Sequence, residues 1–349
     1  MFNFLQSFLS GLPSTSSYEA LLQDHENKYA TYMEALESDE FKRYNELREF
    51  IYNPKNLKFA SQQNSPVTGS NENHAQSRAE LKREQKLLKQ EIKQRKSEFK
   101  RLKETKIMKM YFYLKKNYAK SFAEQERWIS KFYEDFSKPE IDPRWTDTQI
   151  ISEKLLNGHH YSPIEDFHIF SENNVVQSGG LLKIRTKEEQ KQGLAWDKTY
   201  GMVPRTFYFT SGMLTSAHTF RQVYGKFMAK VEIKQVAGTY HAFWLGVDTK
   251  KPHINVFKIE GHNLLISLYS DSTTVEKSLK YKLKNGFYIF SLLWSHEKIT
   301  WFINGKRVFE MANVIDEPMY IAFSSGVYDK RASATTMYVD WVRCYRINS

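Results

Sequence analysis

The sequence of 349 residues predicts two parts, an N-terminal all-α helical arm followed by an all-β domain. In the first 140 residues, the apolar positions recur at the three- and four-residue spacing of an amphipathic helix. After Pro143, short alternating runs are separated by turn residues, with no helical segment between them. Many short strands without intervening helices indicate an antiparallel sandwich or barrel.

The first element is a helical segment over residues 1–59, followed by a linker. Apolar side chains from residue 18 to residue 51 keep helical spacing, which predicts two helices or one bent helix. Asn53-Pro54 ends this run, because proline cannot continue a helix and restricts the residue before it. Residues 60–75, ASQQNSPVTGSNENHA, are polar and poor in bulky apolar side chains, so they predict a flexible linker.

The second element is a basic helical or coiled-coil arm over residues 76–138. Residues 75–120 hold 16 Lys and Arg against 5 Glu, a net charge of +11 that equals the net charge of the whole chain. Five apolar residues fall on heptad core positions: Leu81, Leu88, Ile92, Phe99 and Leu102. The helical spacing continues to Phe136 and stops at Pro139. This pattern predicts a helix packed against a partner, in this chain or in another copy.

The charge of the arm has two interpretations. Clustered Lys and Arg release counterions from phosphate, which would suit nucleic acid or another anionic surface. The alternative is a solvated helix face, which we favour because glutamates interrupt the run and no aromatic residues alternate with its cations. We therefore expect a protein partner or self-association through the arm rather than nucleic acid.

The cysteine count and the N-terminal segment bear on the compartment. A single cysteine, Cys344, excludes an intrachain disulfide and a cysteine-based metal cluster. The segment MFNFLQSFLSGLPSTSS lacks the basic region and the continuous apolar run of a secretory signal. No apolar run has the length needed to span a bilayer, so we expect a cytoplasmic protein without a membrane span.

The β domain contains one unusual strand and one strong hairpin signal. Asn304-Gly305, between ITWFI and KRVFE, is typical of a two-residue hairpin whose turn positions need positive φ. KPHINVFKIEG, residues 251–261, alternates as a strand does and places His253 and Asn255 on one face. Aromatic residues make up 15% of the chain, which suits either a sandwich core or a surface that stacks on ring-shaped ligands.

Residues 165–347 resemble the glycoside hydrolase family 16 enzymes, which include laminarinases, lichenases, agarases and carrageenases. Five segments carry the resemblance in the order of the family: NNVVQSGGLLKI, FTSGMLTSAHTFRQVYGKFMAKVEI, HAFWLGV, YIFSLLWSHEKITWFINGK and MYVDWVRCYR. The resemblance implies a concanavalin-like jelly-roll sandwich over residues 141–349, with a glycan cleft across its concave face. The helical arm is not part of the family pattern.

The resemblance also implies where the chemistry of such enzymes would lie. Their catalytic strand reads Glu-x-Asp-x-Glu, or Glu-x-Asp-x-x-Glu with a bulge, and retaining hydrolysis needs two carboxylates about 5–5.5 Å apart. The nucleophile position falls on His253, the tuning position on Asn255 and the acid/base position on Lys258. All three carboxylates are replaced, and a cation at residue 258 would oppose an oxocarbenium-like transition state.

Other positions near this strand suggest binding rather than cleavage. Glu260 is a nearby carboxylate, either a lone acid or, as we favour, the salt-bridge partner of Lys258. Tyr240 and Trp244 match aromatic positions of the family and are the candidate sugar-stacking residues. Asp340 matches an aspartate that lies at a structural calcium site in many family members. The resemblance therefore allows a structural calcium ion at Asp340, and no other cofactor is expected.

Three functional hypotheses follow. The first is a non-hydrolytic pseudoenzyme that binds a polysaccharide, an oligosaccharide or another partner, with the arm mediating assembly. The second is an active hydrolase of O-glycosyl bonds in β-glucan or galactan, acting in carbohydrate metabolism with relocated catalytic groups. The third is an intracellular coiled-coil scaffold whose sandwich has lost glycan binding. The replaced motif favours the first hypothesis.

Overall fold

The computed structural model describes residues 11–61, 72–147, 149, 156 and 160–347. By packing, the chain divides into two units: residues 20–125 form a helical unit, and residues 1–19 together with 126–349 form a β unit. The division lies inside the first helix and at the end of the last one. The fold class predicted from sequence, helices first and a β-sandwich second, is confirmed.

In the described residues, five α-helices precede the strands: α1 Thr15–Glu37, α2 Asp39–Ile51, α3 Pro54–Ser61, α4 Glu72–Lys103 and α5 Lys106–Glu126. Ser38 caps α2, since its side chain accepts a hydrogen bond from the backbone N–H of Phe41 at 3.2 Å. Pro54 begins α3, where its missing N–H costs no helical hydrogen bond. In the described part of the chain, none of the helices has the length and apolar character needed to cross a membrane.

The heptad row of α4 finds packing partners inside the same chain. Helix α4 packs against α2 and α3. Ile92 is buried, and the ring of Phe99 stacks on that of Tyr44 of α2 at 4.8 Å between centroids. Leu81, at the N-terminal end of the row, is 39% exposed. A coiled coil with a second copy stays a prediction.

Two boundaries of the predicted arm are wrong. Of the predicted linker 60–75, residues 62–71 lie outside the described residues, and both described ends are helical. Residues Trp128–Glu134 form strand β1 rather than a continuation of the helix. Phe132 and Glu134 are buried while Tyr133 between them is exposed, which is the period of a strand. The apolar spacing alone could not exclude a helix there, and pairing with the C-terminal strand decided the outcome.

The β unit contains seventeen strands in the described residues, and a short 3-10 helix, Glu172–Asn174, lies before the fourth. The strands are β1 Trp128–Glu134, β2 Tyr161–Pro163, β3 His168–Phe170, β4 Val175–Ser178, β5 Leu181–Asp197, β6 Gly201–Ser211, β7 Met213–Thr215, β8 Gly225–Ile233, β9 Thr239–Gly246, β10 His253–Glu260, β11 Asn263–Tyr269, β12 Thr274–Leu279, β13 Gly286–Trp294, β14 Lys298–Ile303, β15 Lys306–Ala312, β16 Tyr320–Val327 and β17 Thr335–Ile347.

These strands form two sheets with the core between them. The larger sheet runs β15-β14-β13-β8-β17-β5-β6-β3, with β1 on β17 and with β2 and β4 on β5. The smaller sheet runs β12-β11-β10-β9-β16-β7. Phe257 of the smaller sheet and Phe290 of the larger sheet are both buried, with ring centroids 4.2 Å apart. The other face of the smaller sheet is therefore free to form a cleft.

The hairpin and the segment before α1 complete the β unit. Asn304 and Gly305 adopt φ of 46° and 73°, as the hairpin signal predicted. The Asn304 side chain donates a hydrogen bond to the carbonyl of Pro13 at 2.8 Å, and Lys306 donates to the carbonyl of Gly11 at 2.9 Å. Residues 11–19 thus pack on the larger sheet, although the predicted helical segment 1–59 included them.

Candidate functional site

A cleft of about 440 Å³ lies on the outer face of the smaller sheet. The strand register builds its floor as rows across β16, β9, β10 and β11. One row is Tyr320, Gly246, His253 and Tyr269, and the next is Ala322, Trp244, Asn255 and Ser267. Two further rows begin with Ser324, Ala242 and Lys258, and with Gly326, Tyr240 and Glu260. The sheet therefore brings together the motif positions and both predicted stacking residues.

Small residues beside large aromatic ones shape this floor. A Cβ at Gly246 would lie 2.6 Å from Cζ3 of Trp244, so only glycine lets the indole lie against the strand there. A Cβ at Gly326 would likewise lie 2.3 Å from Cε1 of Tyr240. Trp244 is fixed further, because its Nε1 donates a hydrogen bond to Oγ of Ser324 at 3.1 Å. Trp244 and Tyr240 are both half-buried, and both line the cleft.

A bulge in β10 keeps the three motif positions in one cleft. His253, Asn255 and Lys258 all line it, and the register with both neighbouring strands shifts after Asn255. The carbonyl of Asn255 accepts a hydrogen bond from Nε1 of the buried Trp301 at 2.9 Å. The core of the sandwich thus holds the backbone at the bulge.

His253 is the neutral end of a hydrogen-bonded chain. Its Nε2–H donates to Oδ1 of Asn255 at 3.2 Å, and Nδ2 of Asn255 donates to Oγ of Ser267 at 2.6 Å. Burial lowers the pKa of His253 to about 4. The positive charge of Lys258 lowers this pKa further, whereas the hydrogen bond to Asn255 raises it. The imidazole is therefore uncharged at neutral pH, and it stacks on the ring of Trp244 at 4.8 Å.

At the acid/base position, Lys258 forms an ion pair with Glu260. Its ammonium also lies 4.9 Å from the centre of the Tyr240 ring, within the range of a cation–π contact. The nearby carboxylate anticipated from sequence is therefore engaged by the cation that replaces the acid.

Sequence reasoning missed one carboxyl in the cleft, Asp166. Burial raises the pKa of Asp166 to about 6, while the positive charge of Lys258 acts against that rise. Asp166 precedes β3 and is far in sequence from the motif strand, so only the tertiary fold brings it to the cleft. The only indication in the sequence was that Asp166 lies at the start of the segment that resembles the family, and this position does not indicate a chemical role.

The residues of this cleft are of the types that bind sugar rings, and the three motif positions of β10 hold no carboxylate. Aromatic faces and hydroxyl-bonding side chains suffice for glycan recognition. Double displacement needs one ionised and one protonated carboxyl on opposite sides of the scissile bond. On β10, the corresponding positions hold a neutral imidazole, an amide and an ion-paired ammonium.

The surroundings of Asp340 do not fit a calcium ion. Its Oδ2 lies 2.8 Å from Nζ of Lys230, and the same ammonium pairs with Glu19 at 2.7 Å. Calcium takes six to eight oxygen ligands, and a lysine cation beside the carboxylate repels a second cation. Among the residues that the structure describes, no group of three or more His, Cys, Asp or Glu is arranged to hold a metal.

The sequence matches known glycan-active proteins over this unit. The family model for glycosyl hydrolases family 16 matches residues 165–343. The endo-1,3-1,4-beta-glycanase ExsH of Rhizobium meliloti is 25% identical over 207 residues, covering 54% of this chain and 42% of that protein. The endo-1,3-1,4-beta-glycanase EglC of the same organism is 26% identical over 159 residues, and the match covers 40% of this chain and 34% of EglC. The chain spans less than half the length of these two relatives.

Solved structures show the same fold. The catalytic domain of an endo-1,3-beta-glucanase (laminarinase) from Thermotoga petrophila superposes with a TM-score of 0.51 at 19% identity, covering 64% of this chain and 99% of that chain. The laminarinase catalytic domain from Thermotoga maritima gives the same TM-score, identity and coverage.

Proposed function

The chain belongs to glycosyl hydrolase family 16, and from that premise we propose that its cleft binds a polysaccharide or oligosaccharide without cleaving it. The family fold and the replaced motif support the proposal together. A cleft of about 440 Å³ is retained, with Trp244 and Tyr240 on its floor. β-Glucan is the first ligand to test, because the matched relatives are named as beta-glycanases.

The single observation that carries the proposal is what the motif positions now do. His253 and Asn255 form a hydrogen-bonded chain with Ser267, and Lys258 is held by Glu260. Each replacement has a partner of its own, so the strand does not present unpaired buried polar groups that would destabilise it. This supports a surface built for recognition rather than a damaged catalytic strand.

Affinity electrophoresis of the full chain through gels containing laminarin or lichenan tests this function. We expect retardation, and Trp244→Ala should weaken binding about thirtyfold, since a central aromatic contact contributes about 2 kcal/mol or more. Tyr200→Ala is the matched control, because Tyr200 is 79% exposed in the turn between β5 and β6 and does not line the cleft. Absence of retardation by these and by agarose or carrageenan would overturn the proposal.

An active hydrolase with relocated groups is the second candidate, and Asp166 favours it. A carboxyl with a pKa of about 6 is partly protonated near neutral pH, as a general acid requires. Asp166 and Glu260 both act electrostatically on Tyr240, so they belong to one neighbourhood. Reducing-sugar release from laminarin, lichenan, agarose or carrageenan that Asp166→Asn and Glu260→Gln each abolish would establish this alternative.

Assembly would be a task of the helical unit, which the family model does not cover. Its surface would serve a protein partner or a second copy, and sedimentation of the full chain at increasing concentration tests self-association. A pure scaffold is less well supported, because an open cleft is present among the described residues. A cytoplasmic location stays a prediction from the N-terminal sequence.

A further inference from the structure

We propose that a row of lysines on α4 binds a linear acidic polysaccharide. The row consists of seven residues at alternating spacings of four and three: Lys82, Lys86, Lys89, Lys93, Lys96, Lys100 and Lys103. This lysine row belongs to the helical unit and is independent of the cleft. Its ligand is an anionic polymer, whereas the cleft selects sugar rings by stacking.

The spacing places all seven ammonium groups on one face of the helix. At about 100° per residue, the row occupies an arc about 100° wide. With a rise of about 1.5 Å per residue, it extends about 31 Å, so one ammonium follows another about every 5 Å. The acidic residues of α4 from position 80 to position 98 fall about 180° away from the row. These acidic residues are Glu80, Glu84, Glu91 and Glu98.

The lysines of the row are exposed and form no ion pair with the described residues, although the charges of Lys100 and Lys103 act on the nearby Glu104. All seven lysines are exposed, and no carboxylate among the described residues lies within the 4.0 Å of an ion pair to any of them. The glutamates of α4 have other partners: Glu98 pairs with Arg43 of α2 at 2.8 Å, and Glu91 pairs with Arg95 at 2.7 Å. At the C-terminal end of the row, Glu104 is occupied by Lys109 at 2.9 Å.

A solvated helix face does not by itself account for this pattern. Exposed helices gain stability when Glu and Lys alternate three or four residues apart, and like charges at those spacings destabilise the helix. Every consecutive pair in the lysine row is a like-charged pair of this kind. The flank of α4 next to the row packs within the helical unit, since Ile92 is buried and Arg95 lies 3.8 Å from the centre of the Phe50 ring. The repulsion is relieved when an anion lies along the row.

The shape of the row selects among anionic polymers. Duplex DNA carries one phosphate charge per about 1.7 Å of axis on strands that wind around it, so a straight row meets phosphate only where it crosses them. Proteins that bind single strands interleave aromatic platforms with their cations along the whole site, whereas the rings that contact this row, Phe99 and Phe112, lie at its C-terminal lysine, Lys103. Membrane-surface helices expose an apolar face beside the basic one, whereas that face of α4 is packed against α2 and α3. A single extended chain with charges at intervals fits, which a polysaccharide bearing carboxylate or sulfate groups provides.

Binding of the full chain to polygalacturonate, measured at increasing salt, tests the proposal. The charge-reversed variant changes the middle of the row: Lys89→Glu, Lys93→Glu and Lys96→Glu. The matched control makes the same change of charge elsewhere on the helical unit: Lys55→Glu, Lys58→Glu and Lys116→Glu. Each lysine near an anionic surface contributes roughly a fivefold factor in affinity, so losing three should weaken binding by about a hundredfold or more. The control should change it far less, and Lys→Arg at the three row positions should retain it.

Several outcomes would overturn the proposal. An equal loss in the control would show that net charge, rather than the row, holds the polymer. Tighter binding to duplex DNA, polyglutamate or phosphatidylserine vesicles than to polygalacturonate would assign the row to that ligand instead. Loss of polygalacturonate binding in Trp244→Ala would place the polymer in the cleft. If the triple variant loses helicity by circular dichroism, the single variant Lys93→Glu replaces it, with about a fivefold loss expected.

Discussion

The half-buried carboxyl of Asp166 gives the sharpest test of the cleft's electrostatics. Its pKa of about 6 in the folded protein lies about two units above the value of 3.8 in the unfolded chain, and burial is the main cause. Each unit corresponds to about 1.4 kcal/mol, so the ionised carboxylate costs the fold up to about 3 kcal/mol. Solvent relaxation around a partly accessible group reduces this, and we expect about 1–3 kcal/mol.

Asp166→Asn removes that cost and should stabilise the β unit in a pH-dependent manner. A group whose folded pKa is raised contributes its full stability below the unfolded pKa, and this contribution is lost as pH rises through the folded value. The gain from asparagine should therefore be largest at pH 8, fall between pH 6 and pH 4, and be small at pH 3. The largest gain is the full 1–3 kcal/mol.

Urea unfolding monitored by tryptophan fluorescence measures this change in the stability of the β unit. All seven tryptophans lie between residues 128 and 341, so the signal reports the β unit alone. The exposed residue Asp271 supplies the control, since Asp271→Asn should change the free energy of unfolding by less than about 0.5 kcal/mol at every pH. A gain for Asp166→Asn that is equal at pH 4 and pH 8 would refute the reasoning, because it would reflect packing rather than charge.

Three further predictions concern the cleft, the core and the calcium question. Gly246→Val places a side chain against Trp244 and should abolish laminarin retardation at a stability cost of about 1–3 kcal/mol, and unchanged retardation would contradict the aromatic floor. Phe257→Ala should lower the free energy of unfolding by about 3–5 kcal/mol in the same urea assay, and a cost below 1 kcal/mol would argue against its burial between the sheets. Adding calcium or EGTA should leave Tm unchanged, whereas Lys230→Met should destabilise the β unit by about 2 kcal/mol; a Tm raised by calcium would place the ion near Asp340 after all.

Residues 126–138 show where the apolar spacing of the sequence failed to predict the secondary structure. Ile129, Phe132 and Phe136 are three and four residues apart, as in a helix, yet the segment from Trp128 is a strand. Phe132 is buried from β1, and Phe136 is buried just beyond the strand with a φ of 54°, which a helix would not allow. Pairing with β17 supplies backbone hydrogen bonds that no local pattern encodes.

The cleft divides in the same way between local and tertiary information. The alternation in β10, the loss of all three carboxylates and the two stacking aromatics follow from residues within a 21-residue stretch, 240–260. Asp166 reaches the cleft from more than 70 positions earlier in the chain, and its raised pKa depends on burial by other strands. The ion pairs of Lys230 with Asp340 and Glu19 likewise join three distant segments.

The sequence by itself determined the order of helices and sandwich, the hairpin at Asn304-Gly305, the family and the replacement of its catalytic carboxylates. These features are encoded in periodicity, turn chemistry and residue identity at fixed spacing. Only the tertiary structure decided that His253 is neutral and that Asp166 lies in the cleft. Charge and protonation depend on burial and on neighbours brought from distant parts of the chain, and the fold alone supplies both.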